Sequence, residues 1–83
     1  MKLARYTKFR EEKFGGVLFD TRSEKVFSLN PTAAALLGQL RAGCDEPAIV
    51  EHLKTHFNAP EGAIEREATA FLSGLRQQGL VED

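Results

Sequence analysis

The sequence predicts an α+β domain in which a three-stranded antiparallel sheet is followed by three helices. Three observations carry that reading. The first 30 residues hold two short runs of β-formers, Gly16–Asp20 and Lys25–Leu29, separated by polar turn residues. Proline twice follows a capping side chain, at Asn30-Pro31 and at Asp45-Glu46-Pro47, which is how helices begin. Beyond Asn30 the apolar residues recur at helical spacing. Charge divides at the same boundary. Residues 1–30 hold seven Lys/Arg and four Asp/Glu, whereas residues 31–83 hold four and eight. Halves that differ in sign and in period suit two layers of one domain better than a uniform bundle.

Residues 5–13 mix charges with Tyr6 and Phe9 and read as an exposed strand or extended arm. Gly15-Gly16 reads as a turn or bulge, because it precedes a strand and not a helix that could take phosphate. The run Gly16–Asp20 is the second strand. Asp20 to Glu24 supplies turn chemistry, with Asp20 suited to the first position of a type I turn. In Lys25–Leu29, Lys25, Phe27 and Leu29 share one face, and Val26 and Ser28 share the other. These two strands read as a hairpin with a four- or five-residue loop. In a meander of order 1-2-3, Lys25–Leu29 is an open edge.

The first helix starts at Asn30-Pro31, carries Ala33, Leu36, Leu37 and Leu40, and stops at Gly43. The second starts at Asp45, carries Ile49, Val50, Leu53 and Phe57, and ends at Asn58-Ala59-Pro60. The third runs from about Glu61 to Gln78. Ile64, Ala68, Phe71, Leu72 and Leu75 form its apolar stripe, and Gly79-Leu80 caps it.

Composition bounds the function. Residues 1–83 make one domain, and a chain of this size has a thin core. A net charge of −1 and a pI of about 6.1 argue against a nucleic-acid module, whose domain pI usually exceeds about 9. The longest apolar stretch, Ala33–Leu37, is too short to span a bilayer, so no membrane partner is expected. With no apolar segment at the N-terminus and a single cysteine, the expectation is a cytoplasmic chain without a disulfide framework.

Chemistry-bearing residues are sparse. Cys44 adjoins Asp45 and Glu46 and lacks the electropositive setting of a catalytic thiol. His52 and His56 stand four apart and reach one side of a helix. The residue after the first is Leu53, not the Glu of a zincin, and no third ligand is near in sequence. The spacings give no nucleophile–base pair and no paired carboxylates. The expectation is a non-enzyme with no catalytic residue, no metal and no cofactor.

The third helix offers one more feature. Glu67, Ala70 and Gly74 flank Phe71, with Gln77 and Gln78 near them, so the helix carries a shallow strip. An open strand edge beside such a strip is what β-augmentation requires. The alternative is that Ala70 and Gly74 merely face solvent or the second helix.

The run Phe14-Gly15-Gly16-Val17-Leu18-Phe19-Asp20, followed by Val26-Phe27-Ser28-Leu29-Asn30-Pro31-Thr32-Ala33-Ala34 with Leu37 and Leu40, resembles the PqqD family. These are the RiPP recognition elements (RiPP: ribosomally synthesised, post-translationally modified peptide). Ile49-Val50 through Leu53, Phe57, Phe71-Leu72, Leu75 and Gly79-Leu80-Val81 add to the likeness. It covers about residues 9–82, and the junction from Leu29-Asn30 to Ala33 is its most distinctive piece.

The resemblance implies a winged helix-turn-helix-like domain. It also implies a chaperone that binds the leader segment of a precursor peptide and delivers it to a modifying enzyme. The leader joins as an extra strand on the third strand and lies against the third helix. Carried over as positions, the peptide-binding set is Lys25, Val26, Phe27, Ser28, Leu29, Glu67, Ala70, Phe71, Gly74 and Gln78. Arg66 and the Arg22/Lys25 pair are candidates to meet acidic leader residues. The opening Arg10, Glu11, Phe14, Gly15, Gly16 resembles members that serve radical SAM maturases; lasso-peptide systems pair the domain with a leader peptidase and a cyclase. Two other classes compete. One is a DNA-binding winged helix, disfavoured by Glu61, Glu65 and Glu67 on the third helix. The other is a structural adaptor that binds a maturase but no peptide. An uncovered edge permits a monomer or a strand-exchanged dimer.

Overall fold

Two hairpins in succession build the sheet. In the computed structural model, which describes residues 1–82, the elements are β1 (Lys2–Leu3), β2 (Thr7–Glu12), β3 (Gly15–Asp20), β4 (Lys25–Leu29), α1 (Pro31–Arg41), α2 (Glu46–His56), α3 (Ala63–Gln77) and β5 (Val81–Glu82). Strands β2, β3 and β4 form the expected antiparallel meander in that order. Lys13-Phe14 closes the first hairpin between the paired Glu12 and Gly15. The second closes over four residues, Thr21 to Glu24, between the paired Asp20 and Lys25. Asp20 organises that loop. Its Oδ1 accepts from the Arg22 N–H at 2.9 Å, its Oδ2 accepts from the Ser23 hydroxyl at 3.1 Å, and its carbonyl accepts from the Glu24 N–H at 2.8 Å.

Gly15 begins β3 and does not merely precede it. Its φ is +148°, and a Cβ there would collide with the Leu29 carbonyl oxygen. Glycine therefore lets the junction of β4 and α1 close onto the first hairpin.

Helix starts follow the local signals. Asn30 Oδ1 accepts from the Ala33 N–H at 2.8 Å, and Asp45 Oδ1 accepts from the Ala48 N–H at 3.0 Å. Gly79, at φ +73°, ends α3 in a Schellman turn, with the Leu80 N–H donating to the Leu75 carbonyl at 2.9 Å. Helix α3 starts at Ala63, two residues later than expected. Gly62 is left-handed at its N-cap and supplies no side-chain cap. The β1–β5 pair, with Lys2 opposite Glu82 and Leu3 opposite Val81, was not foreseen. It ties the two ends of the chain together.

The core lies between the sheet and the helices. Leu18 and Leu29 come from the sheet, Leu36, Leu37 and Leu40 from α1, Ile49 and Leu53 from α2, and Ile64, Ala68, Leu72 and Leu75 from α3. Leu80 folds back from the α3 cap to join them. Phe71 departs from the expected stripe: it packs on the core yet stays half-exposed. Helices α2 and α3 are also linked by Lys54 Nζ and Glu65 Oε2 at 2.7 Å. The hydrogen bond to Glu65 raises the Lys54 pKa, and the same bond lowers that of Glu65. Among the described residues, no helix is long and apolar enough to cross a membrane.

Candidate functional site

The free edge of the sheet is β4, and its hydrogen-bonding phase follows from the register. The Thr21 N–H donates to the Tyr6 carbonyl at 2.9 Å. Tyr6 and Thr21 thus continue the series of bonded pairs Glu12–Gly15, Arg10–Val17 and Lys8–Phe19. In the central strand, the alternate residues Gly16, Leu18 and Asp20 turn their backbone groups toward β4. Their partners Leu29, Phe27 and Lys25 are the inward residues of that strand. Val26 and Ser28 therefore aim their N–H and C=O groups at the open edge.

Helix α3 runs alongside that edge in the opposite direction. Between them lies a cleft of about 250 Å³, walled by Phe27 and Leu29 on one side and by Ala70, Phe71, Gly74 and Gln78 on the other. Leu18, Leu75 and Leu80 form its floor. Ala70 and Phe71 also line a second cleft of about 430 Å³. This one opens between the N-cap and first two turns of α1 (Asn30, Thr32, Ala33, Leu36), Leu53 of α2, and Glu67. Sharing Ala70 and Phe71, the two clefts make one apolar trough along α3. A Cβ placed on Gly74 would meet nothing within 4 Å, so nothing in the chain itself occupies that strip.

At the α3 C-terminus, beside Gln78 of the cleft wall, sits Arg22. Its guanidinium lies 3.5 Å from the Tyr6 ring centroid, and its Nη2 donates to the Gln78 carbonyl at 3.5 Å. Arg22 also pairs with the buried Asp20, Nε to Oδ1 at 3.4 Å. Burial pushes the Asp20 carboxyl up, but the hydrogen bonds from Arg22 and Ser23 outweigh it, so its pKa falls below the ordinary value.

The residues singled out in the sequence fall into three groups. Phe27, Leu29, Ala70, Phe71, Gly74 and Gln78 meet in the first cleft, and Glu67 stands in the second. Lys25 is exposed at the start of the edge, on the same strand face as Phe27. Val26 and Ser28 turn their side chains to the opposite sheet face, where Val26 lines a shallow hollow with Lys8, Arg10, Val17 and Phe19. These two belong to the site through their backbone. Arg66 lines neither cleft; it faces a shallow hollow with Glu65, Thr69 and Ser73. The floor residues, the α1 side of the trough and the Tyr6–Arg22 contact were missed. Leu18, Leu75 and Leu80 carried only a core signal, and contacts between Arg22, Tyr6 and Gln78 leave no local pattern.

His52 and His56 stack with centroids 4.1 Å apart, and His56 Nδ1 lies 2.9 Å from the His52 carbonyl. Among the described residues, no group of three or more His, Cys, Asp or Glu is placed to hold a metal. The half-buried Cys44 thiol donates to Gln39 Oε1 at 3.4 Å.

Residues 15–81 match the family model described as Coenzyme PQQ synthesis protein D (PqqD). No relative among curated proteins matches in sequence. Two solved structures share the fold. "TbiB1 in Complex with the TbiA(beta) Leader Peptide" superimposes with a TM-score of 0.88 at 21% identity, covering 99% of this chain and 95% of that one. "Lasso peptide synthetase B1 complexed with the leader peptide" gives a TM-score of 0.84 at 24% identity, covering 99% and 96%.

Proposed function

Because this chain belongs to the PqqD family, we propose that it is a RiPP recognition element that captures the leader segment of a precursor peptide. The leader adds as a strand to β4, and the domain presents it to a modifying enzyme. The observation that carries this reading is the juxtaposition of an open strand edge with an apolar trough. The edge groups of Val26 and Ser28 supply backbone bonds, which give affinity without regard to sequence. In the added strand, the side chain opposite Phe27 enters the cleft between Phe27, Phe71 and Gly74. Its neighbours on either side point to the other sheet face, beside Val26 and Ser28. Sequence specificity thus rests on every second residue of the leader.

The domain acts by binding and positioning and does no chemistry of its own. We assign its partner as a radical SAM maturase, on the Arg10-Glu11 and Phe14-Gly15-Gly16 opening. One observation favours a second partner class, a leader peptidase and cyclase: a structural relative is a lasso peptide synthetase B1 with its leader. Pull-down of each enzyme class with and without precursor separates them, and capture without any precursor dependence supports an adaptor instead.

The direct test is titration of a labelled synthetic leader, taken from the short reading frame beside the gene, into the wild-type protein and into Ser28→Pro. Proline at an outward-facing edge position removes an edge donor and no bond to β3. Wild type should bind saturably, with amide shifts at Lys25–Leu29 and Glu67–Gln78. The variant should remain folded and bind at least about fivefold more weakly, the equivalent of one lost hydrogen bond of about 1 kcal/mol. Equal affinity would remove the leader from the β4 edge.

A further inference from the structure

The trough has unlike charges at its two ends. At the α1 end stands Glu67, exposed and beside Asn30. At the other end, about 16 Å along α3, stand Lys25, at the start of β4, and Arg22, bonded to the Gln78 carbonyl. Arg22 shares its charge with Asp20, whereas neither Glu67 nor Lys25 has an ion-pair partner among the described residues. Between the two ends the walls are apolar or neutral: Phe27, Leu29, Ala70, Phe71, Gly74 and Gln78.

Resting on the leader-binding reading above, we infer that this groove selects its peptide by charge polarity. A basic side chain belongs at the N-terminal end of the added strand, beside Glu67. An acidic one belongs at its C-terminal end, beside Lys25 and Arg22. The direction follows from the sheet. Every neighbouring pair in it is antiparallel, and antiparallel pairing is slightly the more stable per residue. A strand antiparallel to β4 enters beside Leu29 and Glu67 and leaves beside Lys25. The helix ends do not set this polarity. The α1 N-terminus carries only a partial positive charge beside Glu67, and the α3 C-terminus a partial negative one beside the cations. The full side-chain charges prevail over both. A peptide laid parallel to β4 would bring its charged ends to the wrong partners, so the same pair of charges also rejects the reversed strand.

The test uses a phage-displayed library of random peptides about twelve residues long. It is selected in parallel on the wild-type protein and on the folded double variant Glu67→Lys/Lys25→Glu. Wild type should enrich alternating apolar sequences with Lys or Arg on the N-terminal side and Asp or Glu on the C-terminal side. The double variant should enrich the inverse. Synthetic copies of the winners should lose up to about fivefold in affinity for each mismatched end, and the loss should shrink as salt rises. Winners without charge bias, or with a bias that the double variant leaves unchanged, overturn the polarity and leave the leader-binding reading standing. Recovery of no peptide on either folded protein overturns that reading, and the polarity with it.

Discussion

The Arg22 guanidinium stacks on the Tyr6 ring, 3.5 Å from its centroid, directly beneath the last turn of α3. The Tyr6 hydroxyl donates to the Gly79 carbonyl at 2.8 Å. The start of β2, the β3–β4 loop and the α3 cap are thus held at one point. Since β4 leaves that loop and α3 ends at that cap, the contact fixes how far apart the two walls of the trough stand at this end.

Loosening the clamp should therefore weaken the leader by shifting the walls of the trough, even where the charge at position 22 is kept. Tyr6→Phe removes the hydroxyl bond and should cost about 1 kcal/mol of folding stability. Arg22→Lys keeps the charge but loses the planar guanidinium that stacks on the ring and reaches both Asp20 and Gln78. It should lower the urea midpoint and reduce leader affinity together. A variant with wild-type values for both measurements removes the clamp from the account.

Gly74 should behave in the opposite way. It sits inside α3, exposed, with open space where its Cβ would be. Glycine in a helix interior costs about 1 kcal/mol against alanine. Gly74→Ala should therefore raise stability by about 0.5–1 kcal/mol in urea denaturation. Gly74→Leu should fold as well as wild type and lose most of its leader binding, because the side chain enters the cleft beside Phe27 and Phe71. Stability and binding moving in opposite directions would mark a position kept small for a ligand. A Gly74→Leu protein that binds like wild type moves the peptide elsewhere.

Most of the fold was legible because its signals are local. Asn30 and Asp45 cap the helices that follow them, and Gly43 and Gly79 end the helices before them, through bonds spanning five residues or fewer. The edge position of β4 followed from one short hairpin connection and a strand order of 1-2-3. The β1–β5 pair was illegible for the converse reason. Two-residue strands have no period to read, and their partners lie at opposite ends of the chain. The site divides in the same way. Its edge and its α3 strip are each local patterns. The floor residue Leu80, the second cleft with Leu36 and Leu53, and the Tyr6–Arg22 contact exist only once distant segments meet.

The clamp also has a pH signature. Asp20 is buried, and burial acts to raise its pKa. The hydrogen bonds from Arg22 and Ser23 act the other way and prevail, leaving the folded value below the ordinary 3.8. A carboxyl depressed on folding contributes stability that is fully present above the unfolded pKa. That contribution is lost as pH falls through the lower folded value. Glu65, depressed by its bond to Lys54, adds an acid limb of the same sign starting from 4.5. Lys54, raised above 10.5 by Glu65, contributes below that value and loses its contribution as pH rises through the folded pKa. These three groups leave stability unchanged across neutral pH, and stability should decline on the acid side below about 4.5. Asp20→Asn keeps an acceptor for the Arg22 N–H but carries no titrating proton, so its acid decline should be shallower than that of wild type. Urea midpoints measured for both proteins from neutral pH to about pH 2 test this. Parallel curves would mean that the Asp20 charge does not support the fold and that Arg22 is held by the Tyr6 ring and Gln78 alone.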